Sequence, residues 1–236
     1  MRIDVAFAPE LAKPSPTAVV IDVLRATSTI ANALDSGYQR IHCCVSVDDA
    51  RTLHERLGEG LLAGERSCVR IPGFTFGNSP KEFSTPVGDL VILTTTNGTK
   101  ALVVASKISN RVLAASLLNA SSVVNAVREI GEDVSIICAG VEGTFAMDDA
   151  YCAGLLVKLL EGECTDSAVA AVRLYESFQT PEEGILASKS ARNLLTAGLE
   201  DDISWCARVD EFSTVPQVVG TTQCSVELGL PVENLT

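Results

Sequence analysis

The sequence predicts an α/β fold: a three-layer, mainly parallel sheet flanked by helices. Apolar runs of strand length alternate with helix-period patterns from one end of the chain to the other, the pattern of a sheet covered on both faces. Several of those runs end in an acid, a hydroxyl or a glycine just where the next helical pattern opens. The 236 residues, 47% of them hydrophobic, suffice to fill a large core. No linker or internal repeat divides the chain, so residues 1-236 are expected to form one domain.

In chain order, the apolar runs predict strands near 3-7, 17-23, 40-46, 60-64, 89-95, 111-115, 134-139 and 208-213. The intervening patterns predict helices near 26-35, 47-57, 97-107, 119-130, 148-161, 165-178 and 182-196. The 47-57 helix opens on Asp48 and Asp49, which suit the positive end of its dipole, and stops at Gly58, which suits a C-cap. Between Glu65 and Pro86 the periodicity gives way to Pro, Gly, Ser, Asn and Phe. A loop that long in a compact domain marks a functional segment or a lid, and Asn78-Ser79-Pro80 reads as a turn that caps a short helix. Residues 165-205 are helical and mixed in charge, are expected to pack as an appended helical layer, and say little about chemistry.

A net charge of -12 argues against a nucleic-acid partner, because releasing counterions from phosphates needs clustered Lys and Arg, and here the basic residues are scattered singly. The Met1-Arg2-Ile3-Asp4-Val5 start lacks the apolar core of a signal peptide, and no run approaches the roughly 18 apolar residues of a membrane span. No membrane partner and a cytoplasmic location are therefore expected. The eight cysteines form no CxxC pair, and the histidines are His42 and His54 alone, so buried thiols are expected in place of zinc. Cys138 is read as core, since no Arg closes the Cys138-Ala139-Gly140-Val141-Glu142-Gly143-Thr144 loop around a phosphate.

Three strand ends carry candidate chemistry. In Val19-Val20-Ile21-Asp22-Val23-Leu24-Arg25-Ala26-Thr27-Ser28-Thr29 a strand runs into a helix N-terminus, where unpaired N–H groups and the dipole favour an anion and Arg25 adds a charged fork. Equally open is a reading in which Asp22 caps the helix and Arg25 is a surface charge. Leu93-Thr94-Thr95-Thr96-Asn97-Gly98-Thr99-Lys100 repeats the logic, with Gly98 allowing close approach to the backbone and Thr95, Thr96, Asn97 and Thr99 as donors, or else as a Thr-rich strand end with an Asn cap. The third strand ends at Cys138-Ala139-Gly140 and leads to Asp148 and Asp149, acids a helix start also favours without function. If parallel strands bring these ends to one rim, Asp22, Glu65, Asp148 and Asp149 are oxygen donors of the kind Mg²⁺ accepts. No GxxxxGK[ST], GxGxxG or GxSxG stands in the chain, and Leu24 replaces the second acid of a DxD phosphatase.

Taken together, Asp22-Val23-Leu24-Arg25-Ala26-Thr27-Ser28-Thr29, Gly64-Glu65-Arg66, Gly73-Phe74, Gly77-Asn78-Ser79-Pro80, Thr95-Thr96-Asn97-Gly98-Thr99 and Cys138-Ala139-Gly140 with Asp148-Asp149 and Ala153-Gly154 resemble the 2-phosphosulfolactate phosphatase family of coenzyme M biosynthesis, in its order. Thr75 stands where members often carry Asp, and Asp148 where Glu is expected. The resemblance implies a Mg²⁺-dependent hydrolase that releases phosphate from (2R)-2-phospho-3-sulfolactate, a small anionic phosphate ester. In that reading Asp22 and one of Glu65, Asp148 or Asp149 hold the metal, and Arg25, Thr27 and Ser28 clamp the phosphoryl group. Asn78, Ser79, Thr96, Asn97 and Thr99 take the sulfonate or carboxylate, with Gly98 leaving room. Attack by Asp22 and attack by water both remain open, water being preferred for want of a second acid. Another small phospho-acid as substrate, or a phospho-ligand binding protein without turnover, are the alternatives. A homodimer is the expected assembly, symmetric dimers being common among soluble enzymes.

Overall fold

The computed structural model describes residues 1–222 and 224–231. Its strands are β1 (Arg2–Ala6), β2 (Ser15–Ile21), β3 (Arg40–Cys44), β4 (Leu61–Arg66), β5 (Val69–Arg70), β6 (Leu90–Thr94), β7 (Ser109–Ala115), β8 (Val134–Cys138), β9 (Glu163–Cys164), β10 (Gln217–Thr221) and β11 (Ser225–Gly229). Its α-helices are α1 (Ala26–Asp35), α2 (Val47–Leu57), α3 (Gly98–Ile108), α4 (Ala120–Ile130), α5 (Met147–Leu159), α6 (Asp166–Glu176), α7 (Pro181–Leu186), α8 (Lys189–Thr196) and α9 (Glu200–Cys206). All strands join one sheet in the order β5-β4-β6-β3-β11-β10-β7-β2-β8-β1-β9, and most neighbours are parallel.

Alternation along the central strands places the helices on both faces. Val19 and Ile21 of β2 and Leu113 of β7 point into one core with α4, α5 and α6, while Ala18, Val20 and Val112 point into the other with α1 and α3. A third, smaller core under α2 covers the outer face of β3 and β6 through Cys44, Ala50, Leu53 and Ile92. Every residue of β6 and β8 is buried, which explains why these strands read as unbroken apolar runs. Helix α2 ends as expected at Gly58, left-handed at φ 69°, and opens on Ser46, which accepts from the Asp49 N–H.

Four expectations need correction. Residues 208-213 form no strand: Asp210 sits at φ 58°, and the N–H groups of Asp210 and Phe212 donate to Leu117 and Leu118, so the segment is a connector along the start of α4. The last strands are instead the antiparallel pair β10 and β11. The expected 182-196 helix is two helices, α7 and α8, because Ser188 turns out of the first and caps the second through the Ala191 N–H. The long loop after Glu65 is also partly structured: β5 folds back on β4 through a two-residue turn, Ser67 and Cys68, both at positive φ.

The β10–β11 pair changes how the strand ends meet. It lies between β3 and β7 with antiparallel neighbours on both sides, so the β4-β6-β3 group runs opposite along the ladder to β7, β2, β8 and β1. The end of β6 does not reach β2 by sharing a parallel rim. It arrives through α3, which packs against strands of both groups and sets its first turn against Asp22.

Candidate active site

The ends of β2, β4 and β6, the Asn78 loop and helix α8 enclose a cavity of about 550 Å³. Of the residues expected at a site, Asp22, Arg25, Glu65, Asn78, Thr96 and Asn97 line it. Thr27, Ser28, Ser79, Gly98, Thr99, Asp148 and Asp149 stand behind the lining and hold it in place.

Asp22 is buried at the end of β2, with Oδ1 accepting from the Ala26 N–H at 3.2 Å, so it partly caps α1 while it faces the cavity. The Leu24–Arg25 peptide that follows is cis. Thr27 and Ser28 are fully buried and spend their hydroxyls on their own turn: Thr27 accepts from the Asp22 N–H at 2.9 Å and donates to the Asp22 carbonyl at 2.8 Å, and Ser28 donates to the Val23 carbonyl at 2.8 Å. Gly98 has a steric reason. A Cβ there would overlap both the Ala26 methyl and Asp22 Oδ2, so only glycine lets α3 start this close to the carboxylate.

Two buried acids act as clips between strand ends. Glu65 accepts from the Thr96 N–H at 2.9 Å and the Cys68 N–H at 2.8 Å, tying β4 to the loop after β6. Asp149 accepts from the Val23 N–H at 2.9 Å and the Gly140 N–H at 3.0 Å, tying β2 to β8. Asp148, next to it, accepts from Ser190 at 3.1 Å. Thr95 and Thr99 bond to each other's backbone, and Asn97 accepts from the Glu142 N–H at 3.2 Å in place of capping α3. Asn32 and Thr29 of α1 hold the carbonyls of Pro80 and Asn78, which docks the Asn78 loop on the helix that carries Arg25.

Packing these carboxylates together raises their pKa values. Burial pushes Asp22 up to about 7, and the charges of Asp148 and Glu65 add to it while Arg25 opposes. Burial likewise pushes Asp148 up to about 6 against hydrogen bonds that include Ser190 and Ser188. Asp149 lies well above the usual carboxylate range through burial and the charges of Asp148 and Asp22.

Among the described residues no group of three or more His, Cys, Asp or Glu forms a metal cage. The donors present still fit a hard cation held by few protein ligands. They are oxygens only, the guanidinium beside the clustered carboxylates, Arg25, is already paired with Asp202, and Asn78 Oδ1 is buried at the cavity wall with no hydrogen-bond partner. The basic side chains on the cavity wall are Arg25, paired with Asp202 at 2.6 Å, and Lys189, paired with Glu142 at 3.1 Å.

Helices α8 and α9, of which the sequence says little, reach the site: Lys189, Ser190 and Asn193 line the cavity and Asp202 holds Arg25. A sequence signal for the first helix existed in Ser188, a cap ahead of Lys189. Asp202 had none, because Glu200-Asp201-Asp202 reads as ordinary acids of a first turn.

A family model described as 2-phosphosulpholactate phosphatase matches residues 6–221. The chain belongs to that family. Among its relatives is the probable 2-phosphosulfolactate phosphatase of Thermotoga maritima, 41% identical over 223 residues that cover 92% of this chain and 95% of the relative. Proteins with the same description from Carboxydothermus hydrogenoformans and Thermus thermophilus are each 37% identical, covering 92% and 93% of this chain and 93% and 94% of theirs. Family membership agrees with the α/β sheet. No helix among the described residues is long and apolar enough to cross a membrane.

Proposed function

We propose that the chain is a phosphoric monoester hydrolase that converts (2R)-2-phospho-3-sulfolactate to 3-sulfolactate and phosphate. The observation that carries this reading is the cavity in which a buried carboxylate, Asp22, and a buried guanidinium, Arg25, meet at a strand end and a helix start, in a chain of this family. Arg25 grips the phosphoryl oxygens; of the residues expected to help it, Thr27 and Ser28 act by shaping the turn, their hydroxyls being already bonded. Lys189, Asn97 and Asn193 face the remaining volume, where the sulfonate and carboxylate lie.

Mg²⁺ fits this site, with Asp22 and Asn78 Oδ1 as its protein ligands and Glu65, Asp148 and Asp149 adding negative charge around it; bound there, it neutralises phosphoryl charge. Asp22 orients the attacking water. Leu24, two residues on, offers no second acid for a phosphoenzyme route. Positioning and charge supply most of the rate.

The test is phosphate release from phosphosulfolactate by the wild-type chain with Mg²⁺, with EDTA, and by Asp22→Asn. Turnover in the first and its loss in the other two is the expected result. Ligand binding without release in any arm would make the protein a binder, and faster turnover of phospholactate or phosphoglycerate would reassign the substrate.

A further inference from the structure

Asp202 is 2% exposed, in the first turn of α9, and both its oxygens are engaged. Oδ2 accepts from Arg25 Nη1 at 2.6 Å, and Oδ1 accepts from Ser79 Oγ at 2.5 Å. Arg25 makes no other side-chain hydrogen bond to the described residues, although its side chain is 4% exposed and lines the cavity. Its remaining donors are therefore left for whatever fills the cavity. The Ser79 end of the bridge belongs to the loop that brings Asn78 to the cavity, a loop already fixed to α1 by Thr29 and Asn32. One carboxylate thus closes a ring from Arg25 through α9 and the Asn78 loop back to α1.

We propose that Asp202 is a positioning residue: it holds the Arg25 guanidinium in the orientation that meets the phosphoryl group and locks the Asn78-Ser79 loop beside it. This rests on the reading of Arg25 as the phosphoryl clamp. A carboxylate at that place opposes an anionic ligand, so by charge alone its removal would tighten binding and leave turnover no slower. As a positioning group it has the opposite signature. Its loss frees the guanidinium to swing, lowers kcat and leaves KM unchanged or lower.

The experiment is a double-mutant cycle of Asp202→Asn and Arg25→Ala, with Lys81→Ala as the control. Lys81 ties the same loop to α9 through Asp201 at 3.0 Å and lies over the Trp205 ring, but does not line the cavity. Asp202→Asn is expected to lower kcat about 10- to 100-fold without raising KM. Added to Arg25→Ala, it costs no more than about twofold further. Lys81→Ala stays within about threefold of wild type. Where the Asn variant does not fold, Asp202→Glu keeps the charge, moves it by one methylene, and gives the same loss of kcat.

Independent losses in the double variant, an equal loss in Lys81→Ala, or a rise in KM without a fall in kcat would each overturn the proposal. If the wild type releases no phosphate, it is the functional reading that has failed. The cycle is then read on the calorimetric Kd of phosphosulfolactate, where an effect of Asp202→Asn that persists without Arg25 overturns the positioning role.

Discussion

Gly98→Ala sets two effects against each other. Gly98 begins α3, and on helix propensity alone alanine would stabilise that helix by about 1 kcal/mol. The structure puts the new methyl group about 1 Å inside the ordinary contact distance of roughly 3.5 Å to both Ala26 Cβ and Asp22 Oδ2, and 3.1 Å from Asp22 Cβ. Neither neighbour yields easily. Ala26 is the first residue of α1, and the Asp22 backbone is bonded to Thr27 from both its N–H and its carbonyl. Overpacking of this kind costs about 1–3 kcal/mol, so the net outcome is a loss of up to about 2 kcal/mol despite the better helix former. The larger effect falls on chemistry, because the atom displaced is the carboxylate at the cavity. A shift of about 1 Å there is expected to lower kcat/KM by about 10²-fold. Thermal unfolding and phosphate release from the same preparation measure both. A variant that is more stable and turns over like wild type would refute the claim that α3 is held against Asp22 by the missing side chain.

Two further outcomes follow from other parts of the molecule. Lys189→Ala removes a cation that lines the cavity with Arg25 and is paired, among the described residues, with exposed Glu142, so KM for phosphosulfolactate is expected to rise about two- to fivefold at low salt and to converge with wild type at high salt; an unchanged KM at low salt would remove Lys189 from substrate binding. Burial pushes the Cys44 thiol up to about 12, above its ordinary value, so the unfolded chain releases that proton first. Stability from this group is complete below about pH 9 and declines as pH rises toward about 12; denaturation midpoints measured across that range should fall less steeply for Cys44→Ala, and equal slopes would contradict it.

The strand and helix alternation was legible because burial on two faces writes continuous apolar runs, and β6 and β8, buried throughout, are its clearest cases. The misreadings lay where local pattern and tertiary pairing diverge. Arg208–Ser213 carries apolar Val209 and Phe212 but donates the Asp210 and Phe212 N–H groups to Leu117 and Leu118, just ahead of α4, while Val218, Val226 and Leu228 do pair in the sheet. Among site residues, the acids and hydroxyls at the ends of β2 and β6 were identifiable by type. Their division into lining and support was not, since a Thr hydroxyl in sequence looks the same whether it faces a ligand or, as in Thr27, its own backbone.

What the sequence determined by itself was composition at each strand end: Asp22 and Arg25 after β2, Glu65 at the end of β4, Asn97 and Gly98 after β6, residue types legible without knowing what they pack against. Only the tertiary structure decided that these ends meet, because the β10–β11 pair reverses half of the sheet and α3 has to bridge the two halves. It also decided that Asp202, 177 residues beyond Arg25, pairs with it. A contact across that separation depends on how helices stack, and stacking is set by shape and burial summed over many residues rather than by any short stretch of chain.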